Sequence, residues 1–287
     1  MIGNWIKKDE SNVLTLKEYE TLSYLSFPIL EKTGMVRHGF STKHGGVSEG
    51  DFATMNFSFN RGDRAEHVLE NYRRIAAALD QDINKMVVSY QTHTTNVRTI
   101  TEEDMGKGVV RERDYKDVDG LITNIPNIML VTFYADCVPL YFVDPVKRAI
   151  GLSHSGWRGT VGKMGKVTVE CMKQEYGTNP KDLIVCIGPS ICKSCYEVGQ
   201  EVADEFQKLF DQKKSLQILE DKGNGKYQLD LWKANELILM EAGVLREHIA
   251  ITNTCTNCNP DLLFSHRRTG THRGNLAAFL ALKKETD

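Results

Sequence analysis

The segment IMLVTFYAD (residues 128–136) is one of several short runs rich in valine, isoleucine, threonine and aromatic residues, and these runs decide the fold. Such residues suit the pleated, half-buried surface of a β-strand. Similar runs lie on both sides of it: KMVVSYQTH (85–93), VRTI (97–100), DGLITN (119–124), RAIGLSHS (148–155) and LIVCIGPSI (183–191). The middle of the chain is therefore predicted to form a succession of strands.

Helical periodicity lies between and beyond these runs. Apolar residues recur at helical spacing from Asp63, the predicted N-cap, through residue 80. Further helices are predicted over 160–176, about 200–210 and 229–243. Strand clusters mixed with separate helices favour an α+β or mixed-sheet fold with outer helices over a regular βαβ array.

The chain is predicted to be a single domain over residues 1–287, with residues 1–35 as its N-terminal strand region. It contains no proline-rich linker, repeat or low-complexity run. The polar stretch EDKGNGKY (220–227) predicts a surface hairpin or loop within the domain.

Composition limits the partners. With 287 residues, 41% of them hydrophobic, the chain can bury a sizeable core, and its net charge of -2 provides no global field for nucleic acid or an anionic membrane. No stretch has the length of a membrane span and the N-terminus lacks a secretory pattern, which predicts a cytoplasmic protein. Seven cysteines, an odd number, favour reduced thiols or metal ligands over a disulfide framework. The expected partners are small molecules, and the protein is expected to be a monomer or small homo-oligomer.

Three residues lie at or just past the ends of apolar strands: His93 in SYQTHTTNV, Cys137 in FYADCVPL and His154 in GLSHSGWRG. Because strand ends of one sheet lie side by side, these side chains can converge. Two imidazoles and one thiolate suit Zn²⁺, with the fourth tetrahedral position left for water. The residues alone leave another interpretation open, in which the cysteine is a small buried hydrophobe and each histidine a hydrogen-bonded core group.

The order of the motifs resembles one known family. The segments HGFSTKHGGVS, QTHTTNV, DGLIT, ADCVPLYFVD, HSGWRGTV, IGPSIC, CYEVGQEV, LDLWKAN and FSHRR run from about residue 36 to residue 280 and are similar to the YfiH/YlmD family, also called the laccase-domain or peptidoglycan-editing-factor family. The resemblance implies a layered α+β sandwich and a zinc ion bound at the positions of His93, Cys137 and His154. It also implies purine nucleoside activity: phosphorolysis of adenosine, inosine, guanosine and S-methyl-5′-thioadenosine, and deamination of adenosine to inosine.

Phosphorolysis requires an anion site beside the sugar, and LSHSGWRGT (152–160) is a candidate for it. Its glycines expose backbone N–H groups at a helix start, and Arg158 presents a planar fork to phosphate oxygens. An ion pair with a carboxylate such as Asp136 is an equally supported role for this arginine. Trp157 is expected to seat the loop against the core, with purine stacking as the alternative.

Asp136 is the candidate proton carrier for deamination, in which water attacks C6 of adenine. The alternative is that it orients a metal-binding histidine. The H-x-E and P-C-x-x-C signature of nucleobase deaminases is absent from the sequence, so this would be a separate arrangement. The candidate catalytic residues are thus Cys137, Asp136 and Arg158.

The segment MVRHGFSTKHGGVSEG (35–50) is polar and glycine-rich, which predicts a functional loop instead of a regular element. Together with FNRGD (59–63) it offers polar groups for ribose or phosphate. The candidate substrate contacts are His38, Ser41 and Arg61.

Two further motifs carry less weight. CKSC (192–195) and CTNC (255–258) have the spacing of zinc ligands, but the gap between them far exceeds the roughly 15–20 residues of a zinc ribbon, so packed or surface thiols are expected. The basic segment FSHRRTGTHRGN (264–275) is compatible with a phosphate clamp, and one basic loop is weak support for nucleic-acid binding. Gly274 is followed by Asn275 where family members often have arginine, which leaves an arginine role at that position open.

Other functions stay open. Eight histidines are too few for the copper sites of a multicopper oxidase, although one copper ion in place of zinc is compatible with the ligand set in vitro. A cysteine hydrolase or amidase of peptidoglycan precursors would use Cys137 as nucleophile, His154 or His93 as base and Asp136 as the orienting group. The third possibility is a non-catalytic zinc-binding protein.

Overall fold

Two mixed β-sheets form the centre of the protein, described here from a computed structural model that covers residues 5–285. The first sheet consists of β1 (Thr15–Tyr19), β2 (Leu22–Ser26), β3 (Val36–Ser41), β4 (Met86–Val88), β7 (Met129–Tyr134) and β15 (Leu276–Leu282). Its strands lie in the order β1-β2-β3-β15-β7-β4.

The second sheet consists of β5 (Val97–Thr99), β6 (Gly120–Thr123), β8 (Val138–Asp144), β9 (Ala149–Ser155), β10 (Ile184–Ile187) and β14 (Ile249–Ile251). Its strands lie in the order β14-β10-β8-β9-β6-β5. A small third sheet holds β11 (Glu197–Gly199), β12 (Leu219–Gly223) and β13 (Lys226–Leu229), and the hairpin of the last two confirms the prediction for residues 220–227.

The helices are α1 (Pro28–Glu31), α2 (Ala65–Ala78), α3 (Trp157–Val161), α4 (Met164–Tyr176), α5 (Gln200–Leu209), α6 (Gln212–Ile218), α7 (Leu231–Glu241) and α8 (His266–Thr269). Apolar residues of the two main sheets form one core between them. A second core lies between the first sheet and α2, and a third lies between the second sheet and α4, α5 and α7. This arrangement confirms the predicted α+β layered sandwich with outer helices.

The main difference from the sequence prediction is β3. Residues 36–41 fall within the segment predicted to be a loop, yet they form an interior strand that pairs with β2 and β15. The polar side chains of this strand are satisfied by distant backbone groups: Nε2 of His38 accepts from the N–H of Phe27 at 2.8 Å, and Oγ of Ser41 accepts from the N–H of Ala277 at 2.9 Å. Long-range pairing therefore overrides the local turn composition.

Two helix predictions also need correction. The predicted helix over 160–176 is two helices, α3 and α4, separated at Lys163, whose φ of 57° is left-handed. The N-cap of α2 is Arg64, one residue after the predicted Asp63. The Asp63 carboxylate instead accepts hydrogen bonds from the N–H of Arg64 and the side-chain amide of Asn56.

No helix within residues 5–285 combines the length and the apolar composition needed to cross a membrane. The predicted strand region at the N-terminus contains β1 and β2, and its first four residues lie outside the described part of the chain. The single-domain boundary of 1–287 stays a prediction.

Candidate functional site

One edge of the second sheet brings the three predicted metal ligands together. His154 lies near the end of β9, and Cys137 immediately precedes β8, which pairs antiparallel with β9. His93 lies in the loop before β5, at the same edge. The ligand atoms of the three residues all lie within 4.8 Å of one another. Two nitrogens and one sulfur at this separation fit one cation after small side-chain shifts, since Zn–N and Zn–S bonds are about 2.0–2.3 Å long.

Asp119, which the sequence analysis did not single out, fixes two of these ligands. It immediately precedes β6 and is fully buried. Its carboxylate accepts hydrogen bonds from Nδ1 of His154 at 2.8 Å and from the backbone N–H of His93 at 3.1 Å. The backbone N–H and hydroxyl of Thr94 donate to it as well, each at 3.0 Å. The Nδ1 contact leaves Nε2 of His154 for a cation, the usual effect of a carboxylate behind a ligand histidine. The signal in the sequence was the acidic residue that opens DGLIT.

The electrostatics of the cluster favour a thiolate. Burial opposes ionisation of the Cys137 thiol, but the His154 and His93 imidazoles outweigh burial and lower its pKa to about 6. Burial also opposes the positive charge on His154, yet Cys137 and Asp119 raise its pKa to about 9. Cys137 is therefore ionised near neutral pH, which is the form that binds metals and attacks electrophiles.

The closeness of the ligands explains the glycine in LSHSGWRGT. A Cβ on Gly156 would lie 3.0 Å from Sγ of Cys137 and 3.2 Å from Cδ2 of His93. Any larger residue would press on both ligands, so this position admits only glycine without displacing them.

The next two residues in this segment pack against each other. Trp157 is half-buried against the core on the outer side of the second sheet, as expected for a residue that seats the loop. The exposed guanidinium of Arg158 stacks over the indole ring of Trp157, with its central carbon 4.2 Å from the ring centroid. Among the contacts within residues 5–285, Arg158 has no ion pair with Asp136. The structure does not place Arg158 among the cavity-lining residues described next.

A cavity of about 480 Å³ opens beside the three ligands. Its size is typical of small-molecule sites. Besides the ligands it is lined by Ser58, Asn60, Arg61, Ser89, Tyr90, Gln91, Arg113, Phe133, Tyr134, Ala135, His266, Arg273 and Asn275. Within residues 5–285 this lining contains no aspartate or glutamate, so the cavity is basic and suits an anion.

Two half-buried arginines that face this cavity each have one nitrogen without an acceptor, although Nη1 of Arg273 donates to the carbonyl of Gly274 at 3.0 Å and to Oδ1 of Asn275. Nη2 of Arg61 and Nε of Arg273 are buried and have no hydrogen-bond acceptor among residues 5–285. Burial and the neighbouring charge of Arg61 lower the pKa of Arg273 to about 10. Arg113 is held differently, by the carbonyl of Ser89 and by stacking 4.6 Å over the ring of Tyr90. The sequence analysis named Arg61 but not Arg113 or Arg273, since only the basic character of residues 264–275 pointed to this region.

Asp136 lies beside Cys137 in the sequence but does not line the cavity. Its Oδ1 accepts from the hydroxyl of Thr256 and its Oδ2 from the backbone N–H of Arg267, each at 2.6 Å. Asp136 neither pairs with Arg158 nor orients a histidine of the cluster; Asp119 orients His154 instead. Asp136 instead ties the loop before β8 to the segments around residues 256 and 267.

His38 and Ser41, two of the three candidate substrate contacts, lie in β3 away from the cavity. Both are buried, and both side chains are bound to backbone groups, as described for the fold. Their polarity serves the interior of the first sheet. Arg61 is the candidate substrate contact that the structure does bring to the cavity.

The two C-x-x-C segments also meet. Cys192, Cys195, Cys255 and Cys258, hereafter the four-cysteine cluster, place all their sulfurs within 4.8 Å of one another. The sequence analysis, which expected packed or surface thiols, did not predict that the two pairs meet. The long gap between the pairs is bridged because β10 and β14, which precede them, are parallel neighbours.

This chain is similar in sequence to one described family and to several known proteins. The family described as "Multi-copper polyphenol oxidoreductase laccase" matches residues 37–283. "Purine nucleoside phosphorylase YlmD" of Bacillus subtilis is 38% identical over 251 residues, which cover 86% of this chain and 88% of the relative. "Adenosine deaminase RL5" of an unknown prokaryotic organism is 34% identical over 237 residues, which cover 82% of this chain and 90% of the relative.

The crystal structure titled as Bacillus licheniformis hypothetical protein YfiH has the same fold. It superposes with a TM-score of 0.88 at 33% identity and covers 95% of this chain and 100% of that one. The likeness therefore extends over nearly the whole described chain, including both main sheets and the edge that carries the three ligands.

Proposed function

The chain belongs to the laccase-domain family that includes the YfiH and YlmD proteins, and we propose that it is a purine nucleoside phosphorylase that also deaminates adenosine. The proposed substrates are adenosine, inosine, guanosine and S-methyl-5′-thioadenosine, with phosphate as co-substrate. One observation carries the proposal: two half-buried arginines, each with a buried N–H group that lacks an acceptor among residues 5–285, face the same cavity as the three-ligand cluster.

The arginines define the phosphate subsite. A buried N–H group of a cation normally has an acceptor, because an unsatisfied one is destabilising. Arg61 and Arg273 have free N–H groups on neighbouring guanidiniums, and a phosphate dianion satisfies both by charge-assisted hydrogen bonds. This assignment keeps Arg61 from the sequence analysis and gives the role considered for Arg158 to Arg273.

The metal ligands are His93, Cys137 and His154, and zinc is the proposed ion, with copper able to replace it in vitro. When bound, zinc acts as a Lewis acid that polarises a coordinated oxygen. Asp119 binds Nδ1 of His154, so that Nε2 is the nitrogen left for an ion, and the low pKa of Cys137 keeps the sulfur ionised. Because the pKa of His154 is about 9, its Nε2 carries a proton at neutral pH, and this proton leaves when an ion binds. The cluster is thus organised before any ion binds.

Phosphorolysis requires positioning more than covalent chemistry. Phosphate held by the arginines attacks C1′ as the bond from C1′ to N9 breaks, and the electron pair leaves with the purine, which gains a proton. Half-buried Phe133 offers an apolar surface for the purine, while Arg113 already covers Tyr90. Products are the free base and ribose 1-phosphate, or 5-methylthioribose 1-phosphate from S-methyl-5′-thioadenosine.

Deamination adds water at C6 and releases ammonia, so a proton has to move to the leaving nitrogen. Asp136 is engaged by Thr256 and Arg267 away from the cavity, and within residues 5–285 no carboxylate lines the cavity. His266 lines the cavity, and its Nδ1 bonds to the carbonyl of Gly270 at 2.8 Å, which leaves Nε2 for substrate. We assign the proton transfer to His266.

The test is product analysis with the zinc-loaded protein. Inosine with phosphate should give hypoxanthine and ribose 1-phosphate, and adenosine without phosphate should give inosine. Cys137→Ala should reduce both products below detection, whereas Cys171→Ala, which removes a half-buried thiol on α4, should leave both rates unchanged. Absence of both products from the wild-type protein would reject the proposal and favour the non-catalytic alternative.

A cysteine hydrolase remains a second candidate because one specific observation favours it. Cys137, His154 and Asp119 form a thiolate, imidazole and carboxylate series, with Asp119 in the orienting position considered earlier for Asp136. Metal removal separates the two candidates. The hydrolase would be supported if amide hydrolysis persists after complete chelation and is lost in proportion to the alkylation of Cys137 by iodoacetamide. The phosphorylase would be supported if chelation abolishes nucleoside turnover and only zinc restores it.

A further inference from the structure

The four-cysteine cluster lies at the same sheet edge as the proposed active site, but on other strands. Its first C-x-x-C pair follows the end of β10, and its second follows the end of β14. These strands are parallel neighbours with Ile187 opposite Ile251, and a further bridge pairs Ser190 with Cys255. Two loops that are distant in sequence are thereby fixed side by side.

The sulfur geometry distinguishes a metal site from disulfides. Sγ of Cys195 lies 3.5 Å from Sγ of Cys258, and all four sulfurs are within 4.8 Å of one another. A disulfide requires about 2.05 Å between sulfurs. Tetrahedral zinc with Zn–S bonds of about 2.3 Å separates its sulfurs by about 3.8 Å. The cluster matches the second arrangement and encloses room for one ion.

We propose that the four-cysteine cluster binds one zinc ion as a closed structural site. All four tetrahedral positions are filled by sulfur, so the ion has no position for water or substrate. A separation below 5 Å between every pair of sulfurs selects a single ion over a larger cluster of several metals. This site is separate from the three-ligand centre and shares no residue with it.

The surroundings suit a site with excess negative charge. The backbone N–H of Cys192 donates to Sγ of Cys255 at 3.3 Å. The chain near the N-terminus crosses the cluster, since the N–H of Lys8 bonds to the carbonyl of Asn253 at 2.8 Å. The ammonium of Lys8 lies beside the sulfurs of Cys192 and Cys258. A zinc ion with four thiolates carries two net negative charges, and a neighbouring ammonium offsets one of them.

The cluster also supports the loop that carries Cys137. The hydroxyl of Thr256, inside the second C-x-x-C pair, donates to Asp136, and the N–H of Ile191 donates to the carbonyl of Asp136 at 3.0 Å. Both zinc-binding loops therefore contact the residue before Cys137. The structural ion is expected to hold the active-site edge in register.

The experiment is a metal count on the full-length protein expressed with zinc and purified without chelators. Wild type should contain two zinc ions per chain, and Cys137→Ala should retain one. Cys195→Ser and Cys258→Ser change the two half-buried positions of the cluster. Each substitution should remove one zinc ion, whether it is made in wild type or in Cys137→Ala, and should lower the melting temperature. Cys171→Ser, outside both clusters, should retain two ions.

Cobalt provides a readout that does not depend on stability. Cys137→Ala loaded with Co²⁺ should show the intense sulfur-to-cobalt absorption of tetrahedral thiolate coordination, and Cys195→Ser in the same background should lose it. A chelated, denatured wild-type sample should titrate all seven thiols. If wild type titrates only three reactive thiols, the other four cysteines form two disulfides and the proposal is overturned. The proposal is also overturned if wild type titrates seven thiols but Cys137→Ala contains no zinc and shows no cobalt band.

The count is independent of the proposed catalysis. If wild type turns over no nucleoside but Cys137→Ala still binds one zinc ion, the proposed function fails and the structural site stands. If nucleosides are converted while Cys137→Ala is metal-free, the structural site fails and the proposed function stands.

Discussion

The two sulfur-containing clusters of this protein lie along one edge of the second sheet and differ in what surrounds their ligands. The three-ligand centre combines two imidazoles with Cys137 and borders a cavity of about 480 Å³. The four-cysteine cluster is all sulfur, and its loops pack against each other. The same strand-end geometry thus yields an open site and a closed one.

The difference shows that ligand number and the neighbouring space separate chemistry from structure. A three-ligand centre beside a basic cavity can receive a substrate, whereas four thiolates leave an ion nothing further to bind. The clusters also use different support. Asp119 orients the open centre through a carboxylate, and paired strands β10 and β14 align the closed one. Substitutions in these supports should therefore separate the two sites.

Among substitutions in these supports, the largest effect is expected from Asp119→Asn. The substitution keeps the shape but removes the charge that orients His154, so metal affinity of the open centre and nucleoside turnover should fall by about 10–100-fold. The metal content of the four-cysteine cluster should not change. Zinc titration in the presence of a competing chelator, together with steady-state rates, measures both.

Asp117→Asn is the matched control. Asp117 is two residues away, exposed, and contacts the hydroxyl of Thr92 instead of the histidine. It should behave like wild type in both measurements. Equal losses in the two variants would mean that the whole loop, and not the Asp119 carboxylate, organises the centre.

Arg273→Gln tests whether the phosphate subsite of the three-ligand centre is separate from the groups that deaminate adenosine. A hydrogen bond to a charged group contributes about 1.5–3 kcal/mol, so KM for phosphate should rise by about 10-fold or more. Deamination of adenosine uses no phosphate and should keep its rate. Arg158→Gln, an exposed arginine stacked on Trp157, should leave both reactions unchanged. A parallel loss of phosphorolysis and deamination in Arg273→Gln would assign this residue to the shape of the cavity.

The sequence could predict the strand ends and the meeting of His93, Cys137 and His154 there, because each lies in a local motif next to an apolar run. It could not show that β10 and β14 are parallel neighbours, because their pairing joins residues more than sixty positions apart. For that reason the four-cysteine cluster was assigned to ordinary thiols. The strand β3 was missed for a related reason, since Ser41 is satisfied by Ala277, far along the chain. Arg61 and Arg273 likewise meet only in the folded protein.

Thr256→Val tests the link between the two clusters. It removes the donor to Oδ1 of Asp136 and leaves a buried carboxylate oxygen without that partner, so the free energy of unfolding should fall by about 1–3 kcal/mol. Both sites should retain their metal at neutral pH. Denaturant unfolding and metal analysis measure the two outcomes.

Thr178→Val is the control, because the buried hydroxyl of Thr178 has no partner among residues 5–285. The same change in atoms should there be neutral or slightly stabilising. If Thr256→Val is equally neutral, the Asp136 carboxylate is held by Arg267 alone, and the link from Thr256 adds no stability to the contact that Ile191 makes with the Asp136 carbonyl.

The smallest effect at neutral pH is expected from His38→Gln, which removes a histidine that belongs to neither cluster. Burial lowers the pKa of His38 to about 4, against 6.5 in the unfolded chain. Between these two pH values the unfolded chain therefore binds a proton at His38 that the folded protein does not bind. The contribution of neutral His38 to the free energy of unfolding is complete above pH 6.5 and is lost as pH falls toward 4. The 2.5-unit difference corresponds to about 3 kcal/mol.

Glutamine retains an acceptor for the N–H of Phe27 but does not titrate, so His38→Gln should show a flatter decline in unfolding free energy between pH 6.5 and 4 than wild type. His272→Gln, at an exposed ring, is the matched control for the substitution. The acid sensitivity that remains in His38→Gln then comes from other groups, among them His44, whose pKa burial also lowers, and the thiolates of the two clusters, which take up protons when metals are released. An unchanged slope in His38→Gln would remove the buried histidine from the account of acid sensitivity.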